Sequence, residues 1–149
     1  MVDLETTLVE FQCELGSSIL HPSNWEPRSI SNGFTISHPN GQAVLSNLTF
    51  AKESGTPVEF GQRLAKQLAG VEHTEWLPFQ MSGCQAIKWH SDVEATDAQS
   101  HWLLYVVQCG TCLHAIVVEL IEAAAVLNWR FYEQLAQSFK GIDALPAAG

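Results

Sequence analysis

The amino-acid sequence predicts an α+β domain in which a largely antiparallel sheet is flanked by helices. Three observations lead to this fold class: β-rich segments follow one another with short turns, one amphipathic helix interrupts their succession, and a second follows the last strand. Consecutive strands with few crossovers favour antiparallel pairing. Each helix has a single apolar stripe, which needs a sheet to cover.

Length and composition indicate one globular domain. The chain has 149 residues, which is a common size for a single hydrophobic core. Hydrophobic residues make up 46% and charged residues 15%, a balance too apolar for a disordered chain. The closest candidate for a membrane span, residues 115–127, is broken by Glu119 and Glu122, so we predict no membrane-spanning segment.

Charge and cysteine usage restrict the partners and the compartment. Seven Lys and Arg residues against sixteen Asp and Glu residues give a net charge of −9, which repels nucleic acid and anionic membranes. The first residues are acidic and lack the basic start of a secretory signal, so we expect a cytoplasmic protein. In that compartment the four cysteines are expected to be free, buried thiols.

Both helices have clear boundary signals. Thr56 and Glu59 form a capping box around Pro57 at the first helical position, and Gly70 ends the helix. The apolar stripe of this helix consists of Phe60, Leu64 and Leu68. The second helix is predicted over residues 128–140, with Gly141 as its stop. Its stripe consists of Phe131, Leu135 and Phe139.

The strands are predicted from runs of β-branched and aromatic residues that turn residues separate. These runs cover residues 33–38, 42–50, 74–81 and 84–90, two further runs between residues 103 and 120, and a short extended piece around Ile19 and Leu20. The acidic stretch 91–99 is predicted to be a solvated hairpin loop. It contains Asp92, Glu94 and Asp97, whose spacing lacks the glycine and the final glutamate of a calcium loop.

Cys109 and Cys112 flank Gly110-Thr111, and a glycine-first dipeptide between β-rich runs predicts a type II′ hairpin turn. A thioredoxin-like redox motif would need a helix N-terminus at this position, and a zinc knuckle would need two further ligands. Unmodified structural thiols are therefore expected. A reversible disulfide and a metal site are the alternatives. The sequence contains no nucleophile elbow and no phosphate-binding loop, so we predict no catalytic residue, metal or cofactor.

The hairpin register divides the side chains of these two strands between two mostly apolar faces. One face includes Tyr105, Cys109, Cys112 and His114. The other includes Trp102, Leu104, Val106, Ala115 and Val117. Because two helices cover only one side of so wide a sheet, we predict that part of the second face stays open and binds a partner. The expected assembly is a homodimer or a complex with an apolar helical segment of a partner.

The order of these signals resembles the PsbP-like family, and within it the chaperones associated with effectors of bacterial type VI secretion. The resemblance rests on Pro22-Ser23-Asn24-Trp25, the paired strands within residues 33–50, the capped helix 57–69, the strands within 74–119 and Trp129 in the final helix. It covers residues 18–141 as one domain, with a leader over 1–17 and a tail over 142–149. It implies an α/β/α sandwich that serves as a protein-binding scaffold.

The function that this resemblance implies is a non-enzymatic adaptor or chaperone for a bacterial secreted effector. Its expected partner is an apolar helical segment of that effector or toxin. One alternative is an immunity protein whose acidic loop, Asp92 to Asp97, meets the basic site of a toxin. The other is a thiol or metal site centred on Cys109 and Cys112, which requires a perturbed, accessible thiol.

Overall fold

The computed structural model describes residues 7–51, 56–71, 75–81, 83–91, 101–121, 125 and 128–144. The strands within these residues are β1 (Leu8–Gln12), β2 (Ser18–Pro22), β3 (Glu26–Ile30), β4 (Gly33–Ser37), β5 (Ala43–Ala51), β6 (Leu77–Met81), β7 (Cys84–His90), β8 (His101–Cys109) and β9 (Cys112–Leu120). Helix α1 (Pro57–Ala69) lies between β5 and β6, and helix α2 (Trp129–Gln137) follows β9.

Strands β3 to β9 form one antiparallel sheet in the order β3-β4-β5-β9-β8-β7-β6, and β1 pairs with β2 in a separate hairpin. Helix α1 carries the chain from the interior strand β5 to β6 at the far edge of the sheet. The predicted α+β class with a largely antiparallel sheet is thus confirmed. Both edge strands contain a proline, Pro27 in β3 and Pro78 in β6.

The two helices cover opposite faces of the sheet, because each packs on side chains of opposite parity along β8 and β9. On the α2 side the core includes Phe34, Tyr105, Ile116, Leu135 and Phe139. On the α1 side it includes Leu64, Ala65, Leu104, Ala115 and Val117. The molecule therefore has three layers, with helix, sheet and helix in succession.

Helix α1 begins at the predicted N-cap, Thr56. The backbone N–H of Glu59 donates to Thr56 Oγ1 at 3.1 Å, and the Thr56 hydroxyl donates to Glu59 Oε1 at 3.4 Å. The predicted apolar stripe is wrong at Leu68, which is 37% exposed. The buried face instead runs through Gly61, Leu64 and Ala65.

Trp76 explains this rotation of α1. A Cβ atom on Gly61 would lie only 2.7 Å from the Trp76 ring, so the glycine lets the indole pack directly against the helix backbone. Contacts with the indole and with the sheet determine which side of the helix is buried. The spacing of apolar residues within the helix could not predict this side.

Helix α2 ends at Gln137, three residues before the predicted end. The Ser138 hydroxyl donates to the carbonyl of Leu135. The chain then pairs with β2, because the N–H groups of Ser18 and Lys140 each donate to the other residue's carbonyl, at 3.0 and 2.8 Å. This backbone pairing draws the chain out of the helix before residue 140.

The structure corrects the predicted domain boundary at residue 18. Strand β1 pairs with β2 across that boundary, and the Phe11 ring packs edge-on against Phe34 with centroids 5.6 Å apart. Cys13 and Ser17 are buried. The segment from Leu8 onward is therefore part of the domain and no separate leader, because it completes the core beside α2. Residues 1–6 lie outside the described residues.

Among the described residues, no helix is long and apolar enough to cross a lipid bilayer.

Candidate functional site

The Cys109–Cys112 hairpin has the predicted register. The two cysteines pair across the turn, and Gly110 between them has φ 54°. All four cysteines of the chain are free thiols. The side-chain faces of β8 and β9 are those predicted, since Leu104 pairs with Val117 and Tyr105 with Ile116.

The environment of both hairpin thiols disfavours thiolate chemistry. Burial, followed by a hydrogen bond with the Cys84 side chain, raises the pKa of Cys109 to about 12. Burial and the nearby Asp143 carboxylate also raise the pKa of Cys112. A cysteine that reacts rapidly at neutral pH or binds a metal needs a lowered pKa and access to solvent. Within the described part of the chain, no group of three metal-ligating side chains is positioned to hold a metal ion.

A buried polar network lies beside these thiols, on the α2 side of β5 and β9. His114 is completely buried, and its Nδ1 lies 2.9 Å from Thr49 Oγ1. The Thr49 hydroxyl lies 3.3 Å from Asn47 Oδ1, and Asn47 Nδ2 donates to the Ala115 carbonyl at 3.3 Å. Ser17 extends the network, since its hydroxyl lies 3.5 Å from Asn47 Oδ1.

The segment after α2 closes the other side of the His114 ring. Nε2 lies 3.1 Å from the backbone N of Ile142 and 3.0 Å from its carbonyl oxygen. Either neutral tautomer therefore gives both ring nitrogens a hydrogen-bond partner. Burial lowers the pKa of His114, so the neutral ring is the favoured form.

Sequence reasoning placed His114 on the correct face but missed this network. A signal was present, because Asn47 and Thr49 alternate with Leu45 at inward positions of a strand that packs against the core. Such buried polar groups need partners, and here they find one another. The side chains of this network face the core and satisfy one another's hydrogen bonds, which is typical of a structural role.

The predicted partner face lies on the α1 side of the sheet, where α1 packs on β7 and β8. Leu104, Val106 and Ala115 are completely buried, and Val117 is 8% exposed. The prediction that this face stays open is wrong at these four positions, because one helix over the middle of the face suffices to enclose them. Trp102 is half-buried at the margin of the same cluster.

The same side of the sheet is less enclosed toward β4 and β5. Register places Leu48 beside Ala115, Ser46 beside Val117, and Thr35 beside Ser46, so these side chains share the α1-side face. All of them are half-buried, as are Val44 and Phe50. We call this set the β4–β5 surface. It consists of Thr35, Val44, Ser46, Leu48 and Phe50.

Two cavities lie toward the opposite edge of the sheet. One, of about 530 Å³, is bounded by Pro57 of α1 and by Pro78, Gln80, Gln85 and Ile87 of the β6–β7 hairpin. The other, of about 450 Å³, lies between β7 and α2. Its Lys88 Nζ is 4.0 Å from Glu133 Oε2, and Arg130 stacks over the Trp129 ring. These cations are therefore engaged within the chain.

The acidic loop that carries Asp92, Glu94 and Asp97 lies outside the described residues, and with it the surface on which the immunity-protein alternative depends.

A helix on each side of an antiparallel sheet defines an α/β/α sandwich. Comparison with solved structures identifies which fold of this class the chain has. The chain is similar to the solution structure of cyanobacterial PsbP (CyanoP) from Synechocystis sp. PCC 6803, with a TM-score of 0.64 and 17% identity, over 95% of both chains. It is also similar to a crystal structure from Bacteroides thetaiotaomicron VPI-5482, with a TM-score of 0.55 and 11% identity, over 85% of this chain and 45% of that one.

The likeness to CyanoP shows that the chain has a PsbP-like fold. At this level of identity both likenesses concern the fold alone. No family model matches the sequence, and no curated protein matches it. The narrower resemblance to effector-associated chaperones finds no counterpart in these comparisons.

Proposed function

We propose that the chain is a non-enzymatic protein-binding module, and that its β4–β5 surface binds an apolar helical segment of a partner protein. The half-buried state of this surface, beside a fully buried region under α1, is the observation that carries the proposal.

The width of the surface supports a helical partner. Neighbouring strands lie about 4.8 Å apart, so β3, β4 and β5 span about 10 Å, which is the diameter of one helix. Phe50 at one end of the surface meets Phe60 of α1, with ring centroids 5.4 Å apart. A bound helix would therefore lie beside α1 and extend the existing helical layer across the sheet.

The composition of the surface supports reversible binding. Val44, Leu48 and Phe50 supply apolar contact, whereas Thr35 and Ser46 retain hydroxyl groups that tolerate water. Such a mixture resembles the surfaces of non-obligate interfaces, in which apolar anchors are surrounded by polar groups.

The buried polar groups favour binding over catalysis. His114 has both ring nitrogens bonded inside the core, and the pKa of Cys109 and of Cys112 is raised. Groups in this state are poor general bases and poor nucleophiles at neutral pH.

The narrower form of the proposal is a cytoplasmic chaperone or adaptor for a bacterial secreted effector. It rests on the sequence resemblance described above, and the apolar segment held on the β4–β5 surface would belong to that effector. A homodimer through the same surface is the competing outcome, which the experiment separates from this one.

A photo-crosslinking amino acid placed at Leu48, in the cells from which the chain comes, tests the proposal. The same amino acid at Leu68, an exposed apolar residue on α1, is the matched control. We expect a specific crosslink from Leu48 to an apolar, helix-forming segment of another protein. That segment is then synthesised, and its affinity is measured by calorimetry.

Leu48→Asp should weaken binding of this peptide by about tenfold or more, as expected when an apolar anchor is removed, while Leu68→Asp leaves it unchanged. Circular dichroism confirms the fold of both variants. A crosslink only to a second copy of the chain would show that this surface forms a homodimer and does not bind a different protein. Equal crosslinking from Leu68, or equal loss of affinity in both variants, would remove the β4–β5 surface as the binding site.

A further inference from the structure

The sheet brings two cysteines together that lie far apart in the sequence. Met81 pairs with Cys84 at the end of the β6–β7 hairpin, and Cys109 pairs with Cys112 at the end of the β8–β9 hairpin. Only two residues separate the members of each pair. In hairpins this short, the pair next to the turn exchanges the backbone hydrogen bonds.

This pairing fixes the relation between Cys84 and Cys109. The N–H and C=O of one residue in an antiparallel strand point to the same neighbour, so Cys84 bonds to β6 and Cys109 bonds to β9. The β7–β8 register pairs Gln85 with Gln108, and its next step sets Cys84 opposite Cys109. They form a non-hydrogen-bonded pair, in which Cα atoms lie about 4.5 Å apart. A disulfide requires a Cα–Cα distance of about 4.4 to 6.8 Å.

The two side chains are close enough to interact. After burial, Cys84 is the neighbour that does most to raise the pKa of Cys109, whereas Cys112 has the smallest effect. Access also differs among the three cysteines. Cys109 and Cys112 are 2% and 0% exposed, but Cys84 is only half-buried. A reagent in solution therefore reaches this group through Cys84.

We propose that Cys84 and Cys109 form a redox modification site, which closes to a reversible cross-strand disulfide when the protein meets a small disulfide oxidant such as glutathione disulfide. The Cys84 thiolate attacks one sulfur of the oxidant, which forms a mixed disulfide and releases one glutathione thiolate. Cys109 then attacks the Cys84 sulfur, which releases the second glutathione. Two protein thiols lose two protons and two electrons, and one disulfide is reduced to two thiols.

The second step is the slow one. Burial keeps the Cys109 thiol protonated at neutral pH, and its thiolate is the attacking species. The proximity of the two sulfurs offsets part of this cost, because the attack takes place within one molecule. The site is thus expected to respond to sustained oxidation and to resist brief exposure.

The experiment treats the reduced, folded protein with excess glutathione disulfide at about pH 8.5, where more of a high-pKa thiol is ionised. Intact mass, thiol counting after denaturation and non-reducing peptide mapping are the readouts. We expect the wild type to lose two thiols and to yield a peptide that links Cys84 to Cys109. Cys112→Ser, the matched control, should behave in the same way.

Two variants resolve the steps. Cys109→Ser should stop at one glutathione attached to Cys84, and Cys84→Ser should keep its remaining thiols reduced. A Cys109–Cys112 link, a wild type that stops at the mixed disulfide, or a wild type that keeps all of its thiols would overturn the proposal. The peptide map of the wild type decides among these outcomes even if a variant fails to fold.

Discussion

Two glycines with positive φ differ in what surrounds them. Gly41 has φ 71° and no neighbouring atom within 4 Å of the position that a Cβ would take. Gly110 has φ 54°, and its Cβ would collide with the backbone of Asp143. Gly41→Ala should therefore cost about 1 kcal/mol, from backbone strain alone. Gly110→Ala should cost about 3 kcal/mol, because overpacking adds to the strain. Urea unfolding of both variants measures the difference, and equal costs would show that Asp143 moves aside freely.

His114 should make stability depend on pH. Its folded pKa lies below the ordinary value of 6.5 because the ring is buried, so below pH 6.5 the unfolded chain binds the proton more readily. Stability is therefore complete above pH 6.5 and declines as the pH falls toward the folded pKa. Between about pH 7.5 and pH 5.5, the free energy of unfolding should fall more in the wild type than in His114→Gln. Parallel declines would assign the pH dependence to other groups.

At the scale of residues, local chemistry was predictable and long-range pairing was not. The Gly110 turn and the Thr56 cap follow from residues within three or four positions, which is why the sequence predicts them. The bond between His114 and Ile142 joins residues 28 positions apart. Nothing local to either residue indicates it.

Two large rings of unequal burial lie in helix α2 and directly after it. Phe139, just after the helix, is 1% exposed and packs edge-on against the His114 ring at 5.1 Å, whereas Phe131 is half-buried. Phe139→Ala should cost about 3 to 5 kcal/mol, as expected for a fully buried ring, and Phe131→Ala about half as much. Thermal or urea unfolding gives both values. If Phe131→Ala lowers the free energy of unfolding more than Phe139→Ala does, then Phe131, which packs near Trp25, is the main anchor of the helix.

At the scale of elements, prediction succeeded where a segment carries its own boundary signals. The ends of α1 are marked by Pro57 and Gly70, and the long apolar strands β5, β8 and β9 stand out by composition. Strands β1 and β3 were missed. Both are short. Strand β1 is largely exposed and contains Glu10, whereas β3 has no buried residue and contains Pro27, so neither has the alternation by which a half-buried strand is recognised.

The domain as a whole should depend on β1. A chain that starts at Ser18 loses the partner strand of β2, together with Phe11, Cys13 and Ser17 from the core. We expect this truncation to unfold at a much lower urea concentration than a chain that starts at Thr7, which keeps every described residue. Circular dichroism during urea titration provides the comparison. Equal urea midpoints would show that the segment before Ser18 is a separate leader, as the sequence predicts.

At the scale of the whole molecule, the family resemblance implies the α/β/α layers, but the argument from the helix stripes wrongly placed both helices on one side of the sheet. The faces of β8 and β9 follow from strand alternation and turn length, which are local properties. The placement of α1 over Leu104 and Ala115 depends on the fit of Trp76 against Gly61. For this reason the open part of the α1-side face was predicted on the wrong strands.

The pairing of Ser18 with Lys140 has a consequence for biosynthesis. The β1–β2 hairpin leaves the ribosome before Lys140 does, so the edge of β2 lacks this backbone partner until residue 140 follows. The carbonyl and N–H of Ile142 that complete the His114 environment arrive later still. A nascent chain that has not yet reached Ile142 therefore keeps its buried histidine and its β2 edge unsatisfied. During that interval the incomplete domain is exposed to aggregation, and the arrival of residues 140–142 closes it.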